Sequence, residues 1–189
     1  MKGRVYVAGT GVISAIGNSV EETLLSFKTH NSGIGPVTLL DTIHKNSLPA
    51  GEVKLSNSEL ADLTTNGKAV SRTAMLGIYA AREALKNSNI RNLKRWRTGL
   101  ISATTVGGMD RTEFFFDSFL RDNSKGRLRD VVTHECGRST EMIADAVDID
   151  GYISTINTAC SSSVNSIMFG ARLIDHGLLD VVVAGGADA

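Results

Sequence analysis

The chain has 189 residues, enough for one α/β domain and too few for two large ones. Its 20 basic and 20 acidic residues balance, which argues against a nucleic-acid-binding protein or an acidic tail. A hydrophobic content of 42% supports a single core, and 19 glycines against 2 prolines suit tight strand-to-helix turns. No apolar run approaches the ~20 residues of a membrane helix, so no membrane association is expected. The two cysteines, Cys136 and Cys160, come without a secretory context and are expected to stay reduced in the cytoplasm.

Arg4 to Ala8 is a β-rich run ending in Gly9-Thr10-Gly11. Lys2 and Arg4 ahead of an apolar stretch resemble a signal peptide, but the glycines interrupt it. The same glycines invite a dinucleotide reading. Ser14 stands where G-x-G-x-x-G needs its third glycine, so no nucleotide cofactor is expected. Ser19 and Glu22 predict a capping box for a helix from Val20 to about His30. A connection with short extended pieces follows, to about Ser56. Ser56 and Glu59 make a second capping box, for a helix over Ser58 to Leu63.

Ser71 to Lys86 is the clearest helix, with Ala74, Ile78, Ala81 and Leu85 on one face and small residues that imply close packing. Thr98 to Ala103 reads as a central strand, and Thr104 to Gly108 as the turn after it. Met109 to Leu120 is a helix crowded with Phe114, Phe115, Phe116 and Phe119, which suits burial against a partner chain or a channel. Lys125, Arg127 and Arg129 occupy a loop from Asp122 to Asp130. Ser139 to Val147 is amphipathic and helical. The helix after Cys160 is apolar over much of its circumference and is expected to be buried on nearly all sides. Gly177 stops it. Leu179 to Ala184 is a strand, with Gly185-Gly186 turning out of it. Strands alternating with helices predict an α/β fold: a mostly parallel, mixed sheet with helices on both faces.

The stretch richest in chemistry is Ile153-Ser154-Thr155-Ile156-Asn157-Thr158-Ala159-Cys160-Ser161-Ser162-Ser163. It reads as a short buried strand, a tight turn and the start of a helix. Most cytosolic cysteines pack as small apolar residues. A thiol at a helix N-terminus differs, because the partial positive charge there favours the thiolate. The unpaired amides can also hold the oxyanion of a thioester under attack. Small neighbours let a substrate carbonyl approach.

Thr-Ala-Cys-Ser-Ser-Ser after a β run, followed by an Ala-Arg helix and Val181-Val182-Val183-Ala184-Gly185-Gly186-Ala187, resembles the nucleophile region of β-ketoacyl synthases. The opening Val-Ala-Gly-Thr-Gly-Val-Ile-Ser-Ala-Ile-Gly is similar to that family's, and the resemblance spans essentially all 189 residues. It implies half of a thiolase-like fold, residues 1–189 forming the N-terminal domain, in a homodimer. It implies Cys160 as acyl-accepting nucleophile and backbone oxyanion donor, in decarboxylative condensation with malonyl-acyl carrier protein and with no cofactor or metal. Val106 and Phe115 become candidates for the acyl pocket. Lys68, Arg72, Lys125, Arg127 and Arg129 become candidates for docking the acidic carrier protein.

The family's second-half histidines, one in His-Gly-Thr-Gly-Thr, have no counterpart here, so this polypeptide alone is expected not to condense. Members of the polyketide type commonly carry an acidic residue where this chain has Asn157. Two alternatives are a non-catalytic chain-length-factor-like subunit, which generally lacks the cysteine, and a thiolase-type enzyme acting on CoA esters.

Overall fold

The computed structural model describes residues 4–45, 47–66 and 70–189. Its elements in chain order are α1 (Val20–Thr29), β1 (Ile34–Pro36), β2 (Pro49–Gly51), α2 (Asn57–Thr64), α3 (Arg72–Ser88), β3 (Thr98–Ala103), α4 (Met109–Arg121), α5 (Leu128–Val131), α6 (Cys136–Ala146), β4 (Tyr152–Ile156), α7 (Ser162–Asp175) and β5 (Val181–Gly186). β4, β3 and β5 form a parallel sheet in that order, while β1 and β2 make a separate antiparallel pair.

β3 is central, and all six of its residues are buried. Successive side chains on a strand point to opposite faces. Leu100 therefore packs with Ile78, Ala81, Ile143, Ala144, Val147 and Ile149, on the side of α3 and α6. Ile101 packs with Leu173 and Leu179, on the side of α7. Helices thus cover both faces, as the alternation of elements predicts. Small residues bring the layers close: a Cβ on Gly77 would overlap Ile143 across the α3–α6 contact.

Capping follows the sequence closely. Ser56 and Glu59 form the reciprocal box at α2. Ser71 accepts from the Ala74 amide and so caps α3 rather than belonging to it. At α1, Ser19 Oγ accepts from the Glu22 amide, but the Glu22 carboxylate reaches back to the amide of Asn18, one residue beyond a standard box.

Three expectations are corrected. The run from Arg4 to Ala8 forms no strand; Tyr6 and Val7 are exposed, and no strand among the described residues pairs with it. β propensity without a hydrogen-bonding partner does not make a strand. Instead Gly9 and Gly11 press the chain against α3, where a Cβ would overlap the carbonyl oxygens of Ala84 and Ala80. Both oxygens of Glu83 then accept from the amides of Val12 and Val20, at 2.8 Å each. The strand before Cys160 is not buried, because β4 lies at the sheet edge, with Tyr152 and Ile153 exposed. Gly185 and Gly186 lie inside β5, which runs two residues later than expected at both ends. No residue of α4 is buried within this chain.

The starting ends of β3 and β5 are tied by Arg97. Its amide, Nε and Nη2 donate to the Asp180 carboxylate at 2.9, 3.0 and 2.6 Å, and Nη1 donates to Gly177 O at 2.6 Å. The Arg97 side chain, and then its amide, hold the Asp180 carboxyl down at about 2. A depressed carboxylate contributes stability above its unfolded pKa, and that contribution disappears as pH falls through the folded value.

Two predictions follow from these contacts. Gly11→Ala should lower stability by about 1–3 kcal/mol in urea unfolding, because backbone must move. Gly35→Ala, where the site is open, should stay within about 0.5 kcal/mol. In an NMR titration the Asp180 carboxyl should have its midpoint near 2 and move up in Arg97→Gln. The variant should also show less acid destabilisation between about pH 4 and pH 2. An unmoved midpoint would contradict the assignment.

Candidate active site

Three parallel strands end at one edge of the sheet, and three short segments leave it: 104–108 after β3, 157–161 after β4 and 187–188 after β5. The carboxyl edge of an open parallel sheet is where such folds bind ligands. Cys160 lies there, exposed and with a free thiol. It occupies a single 3-10 turn, Ala159–Ser161, immediately before α7. Ala159 is left-handed at φ 52°, a conformation that costs a non-glycine residue roughly 1–2 kcal/mol. The turn's two bonds come from the amides of Ser161 and Ser162, so the Cys160 amide is not one of their donors.

The serines around Cys160 staple the turn, beyond merely leaving room for a substrate. Ser162 Oγ accepts from the Thr158 amide at 2.8 Å and donates to Ala159 O at 2.6 Å. Ser161 Oγ donates to Thr158 O at 2.9 Å. Asn165 Nδ2 donates to Thr158 Oγ1 at 2.8 Å and to Ser161 Oγ at 3.2 Å.

One turn further on, Ser166 Oγ donates to Ser163 O and to Gly185 O of β5, at 2.7 and 2.9 Å. Ser162, Ser166, Gly170 and Leu173 form the buried stripe of α7. A Cβ on Gly170 would stand 2.9 Å from Val182 Cγ1. Within this chain α7 is therefore covered along that stripe and not on nearly all sides. α7 lays its smallest side chains on the sheet, and Val164, Ile167 and Met168 face outward at 68%, 54% and 42% exposure.

Val106 lies on the same edge, half-buried in the 104–108 loop. The loop is held by Asp188, which the sequence reading does not single out. The Asp188 carboxylate accepts from Thr104 Oγ1 (2.5 Å), the Thr105 amide (2.9 Å), Thr105 Oγ1 (2.7 Å) and the Val106 amide (3.4 Å). Burial pushes its pKa up, and those hydrogen bonds outweigh the push, leaving it below the ordinary value.

Phe115 is placed by α4 under the basic loop. It stacks on Phe119 at 5.7 Å and packs against Gly126. Arg111 joins α4 to α5 through an ion pair with buried Asp130 and lies over the Phe114 ring. Beyond that support Lys125, Arg127 and Arg129 are all exposed, and Lys125 pairs with Asp122 at 3.3 Å. Arg127 and Arg129 fall at the start of α5, a single turn inside what reads as a loop.

Arg72 is placed elsewhere and engaged within the chain. Its guanidinium donates to Asn57 Oδ1 and Val53 O, at 2.8 and 3.1 Å, and its amide donates to Asp110. Lys68 lies outside the described residues. Of the histidines, His30 ends α1, His176 ends α7 opposite Cys160, and His134 Nδ1 meets Thr112 Oγ1 at 3.0 Å. Cys136 opens α6, where its sulfur is 3.7 Å from Asn157 Nδ2.

Comparisons with known proteins bear on this geometry. Residues 2–189 match the model for the β-ketoacyl synthase N-terminal domain. The 3-oxoacyl-[acyl-carrier-protein] synthase 2 of Coxiella burnetii is 27% identical over 194 aligned residues, covering 99% of this chain and 46% of that protein. The chain spans about half the length of the curated relatives it matches. A solved structure of the ishigamide ketosynthase/chain length factor matches with a TM-score of 0.87 and 26% identity, over 100% of this chain and 48% of that one. A type II PKS acyl-carrier protein in complex with its ketosynthase shares the fold, with a TM-score of 0.75 at 18% identity over 100% of this chain and 46% of the other. Matched from its second residue to its last, the chain belongs to the β-ketoacyl synthase family, as its N-terminal domain.

Proposed function

We propose that Cys160 is the acyl acceptor of a β-ketoacyl-acyl carrier protein synthase. The observation that carries this reading is an exposed thiol in a stapled turn between β4 and α7, at the carboxyl edge of the sheet. The Cys160 sulfur attacks the thioester carbonyl of an acyl carrier protein. Negative charge develops on the carbonyl oxygen, and backbone amides of the turn, that of Cys160 first, stabilise it. The carrier thiol leaves with a proton, and the acyl group remains on Cys160. Condensation follows when malonyl carrier loses carbon dioxide and its carbanion attacks the acyl-cysteine carbonyl. The Cys160 thiolate is expelled, and a β-ketoacyl carrier is formed. The residues gathered at this edge serve the acylation stage.

Val106, on the same sheet edge as the turn, and Phe115, on α4, line the path of the acyl chain in this reading. Lys125, Arg127 and Arg129 dock the acidic carrier, with Arg127 and Arg129 the stronger contributors because, among the described residues, only Lys125 of the three is in an ion pair. Arg72, tethered to Asn57 and Val53, serves the fold. The basic loop favours a carrier protein over a CoA ester as donor. The presence of Cys160 favours a catalytic subunit over a chain-length-factor-like one. Among the described residues β4 pairs on one side only, and its exposed Tyr152 and Ile153, with the outward residues of α7, offer apolar surface suited to a second copy of the chain. The two free thiols suit a reducing cytoplasm, and among the described residues no helix is long and apolar enough to cross a membrane.

Incubation with a radiolabelled acyl carrier protein should leave label on the wild type and none on Cys160→Ala. Equal labelling of the two would refute acylation at that sulfur. In a pull-down, Arg127→Glu combined with Arg129→Glu should weaken carrier capture by about tenfold at low salt, and the difference should shrink as salt screens the charges. Unchanged capture would remove the docking role.

A further inference from the structure

We propose that Asp188 is a positioning residue for acyl transfer at Cys160, acting through the 104–108 loop. The inference rests on the acyl-acceptor role of Cys160 proposed above. All four hydrogen bonds to the carboxylate come from one stretch, Thr104 to Val106. Bonds to an ionised acceptor are roughly twice as strong as neutral ones.

Thr104 passes the restraint on in two directions. Its Oγ1 accepts from the Gly107 amide at 3.0 Å, where the chain is left-handed at φ 56°. Its own amide donates to Ile156 O at 3.3 Å, at the end of β4 and four residues before Cys160. The carboxylate beyond β5 therefore fixes the segment beyond β3, which is itself tied to the strand that delivers the nucleophile. Val106 lies within the held stretch. A loop flanking the nucleophile turn has to stand still for a thioester to meet the sulfur in reacting geometry, and small misplacements cost large factors in rate.

Asp188→Asn keeps the shape but removes the charge, leaving one neutral oxygen for three donors and an NH2 where Oδ2 accepts from Thr105 Oγ1. Transfer from an acyl carrier protein to Cys160, followed by intact mass, should slow about tenfold at saturating carrier while half-saturation stays within about twofold. Alkylation of Cys160 by iodoacetamide, which needs no acyl path, should stay within about twofold. Thr105→Val, at an exposed position, removes one donor and should act in the same direction by about threefold. Its effect should vanish in the Asp188→Asn background. Where Asp188→Asn does not fold, Thr105→Val decides alone.

An acylated wild type with unchanged rates in both variants overturns this inference only. Acylation and alkylation falling together would show a merely structural role and overturn it too. A wild type that takes no acyl group overturns the acyl-acceptor role itself, and this inference with it.

Discussion

The seam between α7 and the sheet decides where Cys160 stands. Ser162, Ser166 and Gly170 recur every four residues on one face of α7, with no bulk beyond a hydroxyl. The helix can therefore settle until Gly170 meets Val182 and Ser166 bonds to Gly185 O. A helix held off the strands by large side chains would carry its first turn away with it. The seam also satisfies buried hydroxyls that would otherwise cost about 1–3 kcal/mol each. Packing and catalytic geometry are here one constraint.

The carboxyl edge extends that logic to its neighbours. β3, β4 and β5 run parallel, so the nucleophile turn, the Val106 loop and Asp188 gather without any need for proximity in sequence. Positions 104 and 188 meet because the register sets Ala103 beside Gly186. The ion pair of Arg111 with buried Asp130 and the Phe115–Phe119 stack support a surface carrying Lys125, Arg127 and Arg129. Removing Arg111 would leave the buried Asp130 carboxylate without its ion-pair partner, which is costly, so the exposed charges rest on a firm base.

Much of this was legible in the residues. Ser56 with Glu59, the Ala74-Ile78-Ala81 face and the six-residue run of β3 each carry a local signal that the structure follows. The Cys160 turn was legible too, since small polar residues between a β run and a helical pattern have few other uses. What escaped was non-local. Asp188 looks like any residue after a strand until Thr104 is seen beside it. Glu83 looks like a surface residue of α3 until the amides of Val12 and Val20 arrive. Arg72 reads as a free cation, and only folding brings Asn57 and Val53 O to it. The α7 pattern misled about which face meets the sheet of this chain, because hydrophobicity alone ranks Val164, Ile167 and Met168 above the serines. Closeness of approach, governed by side-chain size, chose the serine and glycine face instead. Arg4 to Ala8 misled for a related reason: propensity describes a residue, and a strand is a pair.

The seam can be tested where it is most sensitive. Ser166→Ala removes the hydroxyl that joins α7 to Gly185 O and adds no bulk. Stopped-flow measurement of acyl transfer onto the Cys160 sulfur should then show a rate reduced by about tenfold in a protein whose circular dichroism spectrum is unchanged. A rate equal to wild type in a folded protein would contradict the claim that this contact sets the nucleophile in place.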